Sequence, residues 1–62
     1  MDDYIEILIY STDDFERCKD VLIGCENSIE YDEDNNVLKV EERCERTVMN
    51  LLLGSGISYK YL

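Results

Sequence analysis

Three cysteines are the residues of this chain with the widest chemistry, since a thiolate can bind zinc, form a disulfide or attack a substrate. They stand at positions 18, 25 and 44 with no C-x-x-C spacing, and the chain has no histidine. A zinc site would need a carboxylate or a second chain as its fourth ligand, so we predict no metal site. Cys18 and Cys44 both fall on apolar helix faces, which favours free core thiols. A disulfide between these two cysteines stays open for an oxidising or hyperthermophilic setting.

The acidic run DEDNNV resembles the start of a calcium-binding loop. Asp32, Asp34 and Asn36 match the first three ligand positions of an EF-hand. That loop then needs glycine where Val37 stands and a bidentate glutamate where Arg43 stands. Both requirements fail, so we interpret the run as the solvated tip of a hairpin.

No other constellation of residues indicates catalysis. The chain has no histidine to act as a base, and no serine or cysteine lies in a nucleophile motif. The Gly54-Ser55-Gly56 turn follows a predicted helix instead of opening one, and no lysine comes after it as a phosphate loop requires. The turn therefore predicts a helix stop. We predict that the protein is not an enzyme and binds no cofactor.

The net charge of −9, from 15 acidic and 6 basic residues among 62, limits the partners of this chain. Such a surface repels phosphate, so we predict no direct contact with nucleic acid. The sequence has no apolar run of about 18 residues and no signal or lipidation motif, which predicts a cytoplasmic protein without membrane contact. A chain this short buries only about 60% of its unfolded surface. We therefore expect one domain, residues 1–62, that gains stability from a partner or from self-association.

The first half of the chain predicts a strand followed by a helix. Residues 4–10, YIEILIY, alternate with apolar groups on both faces, which indicates an interior strand. Ser11 is the expected N-cap of the first helix. At about 100° per residue, Phe15, Cys18 and Leu22 form the apolar stripe of that helix.

The second half predicts a hairpin, a helix and a last strand. Residues 28–33 and 36–41 alternate on either side of asparagines, which tolerate the left-handed backbone of tight turns. Ile29 and Tyr31 on one arm would oppose Leu38 and Val40 on the other. A second helix is expected over about 42–53 with a glycine C-cap at position 54, and ISYKYL predicts a short final strand. The order β-α-β-β-α-β predicts a small ferredoxin-like α+β domain, an antiparallel sheet with two helices on one face.

The second helix carries apolar residues on two faces. At about 100° per residue, Cys44, Val48 and Leu51 form its predicted core stripe. Met49 and Leu53 fall on the opposite half, which a helix lying on a sheet leaves in water.

We interpret this opposite half as a partner-binding surface. Single exposed apolar residues are common and need no explanation. Met and Arg are nevertheless favoured at interface centres, and Met49 and Leu53 lie one turn apart beside Arg46. The predicted partner-binding residues are Arg17, Arg46, Met49, Asn50 and Leu53.

The element order and a few matching residues also resemble a known family. The matching residues are Ile5, Glu6, Ile7 and Ser11 at the front and Arg46, Asn50 and Leu53 in the second helix. Over roughly residues 4–53 the chain resembles the small dimerising subunit of the KEOPS complex, of the CTAG/Pcc family. The resemblance implies a non-catalytic subunit whose helices pack on the threonylcarbamoyl-transferase subunit and support threonylcarbamoyladenosine modification of tRNA. Arg46, Met49 and Leu53 would then belong to that helical contact.

Two functions are consistent with these observations. The first is an accessory subunit that forms a homo- or heterodimer and docks by its helices on a larger protein partner, with acidic rims that steer it to a basic surface. The alternative is an acidic mimic of nucleic acid that inhibits a nuclease or a CRISPR effector, as in phage anti-defence. The carboxylates that would imitate phosphates are Asp13, Asp14, Glu16, Asp20, Asp32, Glu33 and Asp34.

Overall fold

Four strands and two α-helices alternate in the order β-α-β-β-α-β, as the sequence predicts. The computed structural model describes residues 3–62, so Met1 and Asp2 of the predicted 1–62 domain lie outside the described residues. No helix in this range is long and apolar enough to cross a bilayer. The strands are β1 (Tyr4–Ile9), β2 (Ile29–Asp32), β3 (Val37–Glu41) and β4 (Tyr59–Tyr61), and the helices are α1 (Thr12–Val21) and α2 (Glu45–Gly54). Short 3-10 helices, Ile23–Ser28 and Glu42–Cys44, lead into β2 and α2.

The strands form one antiparallel sheet in the order β2-β3-β1-β4, with the helices packed on it in the ferredoxin-like arrangement. β1 lies between β3 and β4, which confirms the predicted interior strand. In the hairpin, Ile29 pairs with Val40 and Tyr31 with Leu38, as predicted. Asn36 has a φ of 56°, the left-handed conformation that asparagine tolerates in tight turns.

α1 begins at the predicted cap. The Asp14 amide donates a hydrogen bond of 3.4 Å to the Ser11 hydroxyl. Phe15, Cys18 and Leu22 are all buried, which confirms the predicted stripe. The rest of the core consists of Ile7, Ile9, Ile29, Leu38, Val40, Val48, Met49, Leu52 and Ile57.

α2 faces the sheet with a different stripe from the predicted one. Its buried residues are Val48, Met49 and Leu52, whereas Leu51 keeps 37% of its surface exposed. The predicted core position of Leu51 and the predicted outward position of Met49 are therefore wrong. The observed stripe buries three large apolar side chains, whereas the predicted one would have used the smaller Cys44 as its third member. Burial of more apolar area favours the observed orientation.

A left-handed glycine follows α2, two residues beyond the predicted glycine C-cap at position 54. Gly54 is the last residue of the helix, and Gly56 has the positive φ of 70°. The Ile57 amide donates to the Leu52 carbonyl at 3.0 Å and the Gly56 amide to the Leu53 carbonyl at 3.2 Å. These two bonds form a Schellman motif. The predicted helix stop is present, but its left-handed residue is Gly56.

Candidate functional site

The thiols and carboxylates do not converge on a chemical site. Residues 3–62 contain no group of three or more cysteine, aspartate or glutamate side chains that could hold a metal ion. All three cysteines are free, so the Cys18–Cys44 disulfide is not formed. Burial, reinforced by the negative charge of Asp14, raises the pKa of the Cys18 thiol to about 11. This thiol is therefore protonated at neutral pH and is a poor nucleophile.

The outer flank of α2, defined by Arg46, Asn50 and Leu53, is the part of the predicted partner-binding surface that is in solvent. All three side chains are exposed, and Leu53 keeps 66% of its surface accessible. Within residues 3–62, Arg17 and Arg43 form ion pairs with carboxylates, whereas Arg46 forms none. The flank thus presents an apolar group, an amide and an unpaired guanidinium.

Met49 lies at the inner border of this flank. It is only 8% exposed and belongs to the core, so it is not the exposed anchor that the periodicity predicted. Its remaining surface lines a shallow depression of about 390 Å³ together with Glu42, Arg43, Glu45 and Arg46. The depression surrounds one adaptable apolar side chain with two carboxylates and two guanidinium groups. The predicted role of Met49 in partner binding is untested, and only this small exposed part of its side chain could contact a partner.

The last strand extends the outer flank. The Tyr61 hydroxyl donates a hydrogen bond of 2.7 Å to Glu45, at the first turn of α2. The Tyr61 ring packs edge-on against Tyr59, with 6.0 Å between the ring centroids. The Leu62 amide donates a hydrogen bond to the Glu6 carbonyl of β1. Because the backbone groups of successive residues in a strand point to opposite sides, those of Tyr59 and Tyr61 point to the open edge of the sheet. The bond between Tyr61 and Glu45 joins β4 to α2, and we call the outer flank of α2 together with the two tyrosines the α2–β4 surface; it consists of Arg46, Asn50, Leu53, Tyr59 and Tyr61.

Arg17 is occupied by acceptors within the chain. Its guanidinium donates to the Ser55 carbonyl at 2.7 Å and to the Asp14 carboxylate at 3.0 Å. These bonds connect α1 with the turn that follows α2. The Ser55 carbonyl is a main-chain group 38 residues away, so no sequence pattern points to this contact. Any binding of a partner by Arg17 would compete with these bonds.

A second surface, which was not among the predicted partner-binding residues, is the face of the sheet that carries no helix. Its side chains are those that alternate with core residues along each strand. Val37 is only 7% exposed and yet lies outside the core cluster, because it pairs with the half-buried Leu8 on this face. The apolar Leu8 on the outward side of β1 was the available sequence signal. Two four-residue cross-strand rows lie on the face: Asp32, Val37, Leu8 and Lys60, and then Glu30, Lys39, Glu6 and Leu62. Beyond them, the pair of Tyr4 and Glu41 lies on the same face.

The acidic residues of α1 and of the hairpin tip form a third surface. The Lys19 ammonium lies 2.7 Å from the Glu33 carboxylate and 3.2 Å from that of Glu16, so it bridges the two elements. The hydrogen bond to Glu33, followed by that to Glu16, raises the pKa of Lys19. Seven carboxylates predicted to imitate phosphates thus lie on adjoining elements, but Lys19 and Arg17 offset part of their charge.

Comparison of the chain with protein-family models, with curated proteins and with solved structures finds no match. Membership of the CTAG/Pcc family therefore stays a prediction, and the function has to be argued from the surfaces described above.

Proposed function

We propose that this chain is a non-catalytic accessory protein that binds a larger protein partner through its α2–β4 surface. The observation that carries the proposal is the exposed Leu53 and Arg46 on the outer flank of α2, the helix to which Tyr61 of β4 is hydrogen-bonded through Glu45. A helix flank on a sheet usually carries polar residues. Arginine and tyrosine are residue types enriched at the centres of protein interfaces, and the exposed Leu53 adds apolar area beside them.

The preorganisation of this surface supports the proposal. Tyr61 is held by its hydrogen bond to Glu45 and by its edge-on contact with Tyr59. A partner would therefore find these rings already ordered, which lowers the entropy cost of association. Met49 adds a flexible side chain in the adjoining depression, where a partner side chain can insert.

The charge of the chain indicates the chemistry of the partner. A net charge of −9 steers the protein towards a basic surface, while the local cation Arg46 fits a carboxylate within the contact. The specific partner implied by the family resemblance is the tRNA-modifying transferase subunit of KEOPS, in the cytoplasm. That assignment rests on the resemblance alone.

Capture of partners from the native cell extract tests the proposal. The tagged wild-type chain is compared with an Arg46→Glu/Leu53→Asp variant, and the retained proteins are identified by mass spectrometry. Ile23→Asp is a matched control, because Ile23 is as exposed as Leu53, at 66%, but lies in the segment after α1. Met49→Asp is unsuitable, since it would place a charge in the core.

We expect a stoichiometric partner that is retained by the wild type and by Ile23→Asp and lost with the double variant. Retention of the same partner by the double variant would contradict the proposal. Recovery of a threonylcarbamoyl-transferase would in addition support the KEOPS assignment.

The mimicry of nucleic acid is the second candidate, favoured by the adjoining acidic residues of α1 and the hairpin tip. It predicts binding to a nuclease that DNA or RNA competes away and that weakens steeply with salt. The Arg46→Glu/Leu53→Asp variant would keep this activity, whereas Glu16→Lys/Asp20→Lys would lose it. The two variants therefore separate the candidates.

A further inference from the structure

The helix-free face of the sheet carries a row of side chains whose charges are complementary to those of the same row read in the opposite direction. Across the strands β2-β3-β1-β4, the first row reads acidic, apolar, apolar, basic, from Asp32 through Val37 and Leu8 to Lys60. Asp32 and Lys60 are separated by three strand spacings of about 4.8 Å each, so they do not pair within one chain. Each end of the row therefore lacks a partner across the sheet.

A second copy of the chain supplies those partners. Two sheets that stack face to face around a two-fold axis parallel to the strands place β2 over β4 and β3 over β1 of the other copy. Asp32 then faces Lys60 of the second copy, and Val37 faces Leu8. In the next row, the same rotation places Lys39 opposite Glu6 and Glu30 beside Leu62.

We propose that the chain forms a symmetric homodimer through the helix-free face of its sheet. In the first row, opposite charges meet at the ends and apolar residues meet in the middle. In the second row, Lys39 meets Glu6 and Glu30 lies beside the apolar Leu62, so no like charges face each other in these two rows. Leu62, which is largely exposed in the single chain, is covered in the dimer. The inference goes beyond the proposed function and does not depend on it, because the helices and the outer flank of α2 remain outside.

The dimer is expected to be weak and dependent on concentration. Four strands make a face about 19 Å wide, which is narrower than that of a standard protein interface. The net charge of −9 on each copy also opposes association, although salt screens much of this repulsion.

Reversal of the end charges tests the pairing directly. Sedimentation equilibrium at physiological salt would compare the wild type with Lys60→Glu and Asp32→Lys. Each single variant places like charges together twice in the dimer, so we expect the dissociation constant to rise roughly tenfold or more. An equimolar mixture of the two variants restores both pairs, so a heterodimer with near wild-type affinity is expected although both chains remain acidic.

Two further variants keep the test decisive. Asp32 also accepts a hydrogen bond from Asn35 at 3.0 Å, so circular dichroism must show that Asp32→Lys is folded. If it is not, Leu8→Glu replaces it, and we expect this variant to be folded and monomeric. Leu53→Asp, on the outer flank of α2, is the control and is expected to dimerise as the wild type does.

Any of three results on the wild type and the charge variants would overturn the proposal: a wild-type chain that is monomeric at millimolar concentration, single variants that dimerise as well as the wild type, or a mixture that forms no heterodimer. Loss of the dimer in Leu53→Asp would place self-association on α2 instead and would also overturn it. Loss of the captured partner without loss of the dimer would concern only the proposed function.

Discussion

The hydroxyl of Tyr61 and the carboxylate of Glu45 are joined by a hydrogen bond of 2.7 Å that ties the last strand to the first turn of α2. This bond raises the pKa of Tyr61 to about 12, from an ordinary value of about 10. The folded protein therefore holds the tyrosine proton more tightly than the unfolded chain does. The contribution of the bond to stability is complete below about pH 10 and is lost as the pH rises towards 12.

Tyrosinate formation near pH 12 includes the ionisation of Tyr61, and we call it the late step. We expect the late step to lose the amplitude of one tyrosine in Tyr61→Phe, because this variant lacks the phenol whose proton Glu45 retains. Alkaline titration followed by tyrosinate absorbance measures this change. A late step of the same amplitude in Tyr61→Phe would show that the bond does not form in solution.

Tyr31 carries a buried hydroxyl oxygen that has no hydrogen-bond partner in residues 3–62. Burial raises the pKa of this tyrosine, and its ring packs edge-on against Phe15 at 6.0 Å. Tyr31→Phe keeps the ring contact and removes the unsatisfied group, so we expect the free energy of unfolding to rise by about 1 kcal/mol. Urea unfolding measures the change, and a clear loss of stability would mean that the hydroxyl is hydrogen-bonded in solution.

The two glycines at the end of α2 should respond in opposite ways to alanine. Both have open space around the position of a Cβ atom, but only Gly56 has a positive φ. We expect Gly54→Ala to stabilise the protein by about 0.5–1 kcal/mol, since alanine is the better helix former. Gly56→Ala should cost about 1 kcal/mol or more because of the left-handed backbone. Thermal or urea unfolding of the pair would detect the difference, and equal effects would place the helix end elsewhere.

The buried Cys18 should resist thiol reagents in the native protein. Its pKa of about 11 leaves very little thiolate at pH 8, and the side chain has no access to solvent. In a Cys25→Ser/Cys44→Ser variant, where only Cys18 can react, we expect labelling at the rate of protein opening and acceleration by urea. Rapid labelling without denaturant would contradict the buried position.

Much of the fold could be predicted because its signals are local. Ser11 indicates the start of α1, the asparagines indicate the hairpin turn, and alternating apolar residues indicate the strands. The orientation of α2 could not be predicted from periodicity. Val48, Met49, Leu51, Leu52 and Leu53 supply apolar side chains around most of the helix, so two stripes compete. Packing on the sheet decides between them, and the sequence alone does not show which one lies on it.

The candidate surfaces were predictable only in part for the same reason. Arg46, Asn50 and Leu53 are exposed as expected, since both orientations of α2 keep these three residues off the sheet. Met49 became a core residue when the helix adopted the other stripe. Arg17 donates a hydrogen bond to the main-chain carbonyl of the distant Ser55, which no sequence pattern indicates. The complementary charges on the helix-free face can be recognised only when the strand order is known.

The central position of β1 also determines how the chain can reach this structure. Ile7 lies between Leu38 and Tyr61, so both neighbours of the first strand come from distant parts of the sequence. The entropy of closing these long loops must be overcome before the pairings stabilise the chain. We expect folding to be slower than for a helical bundle of equal length. The amides of β1, protected from both sides, should be among the slowest to exchange with deuterium.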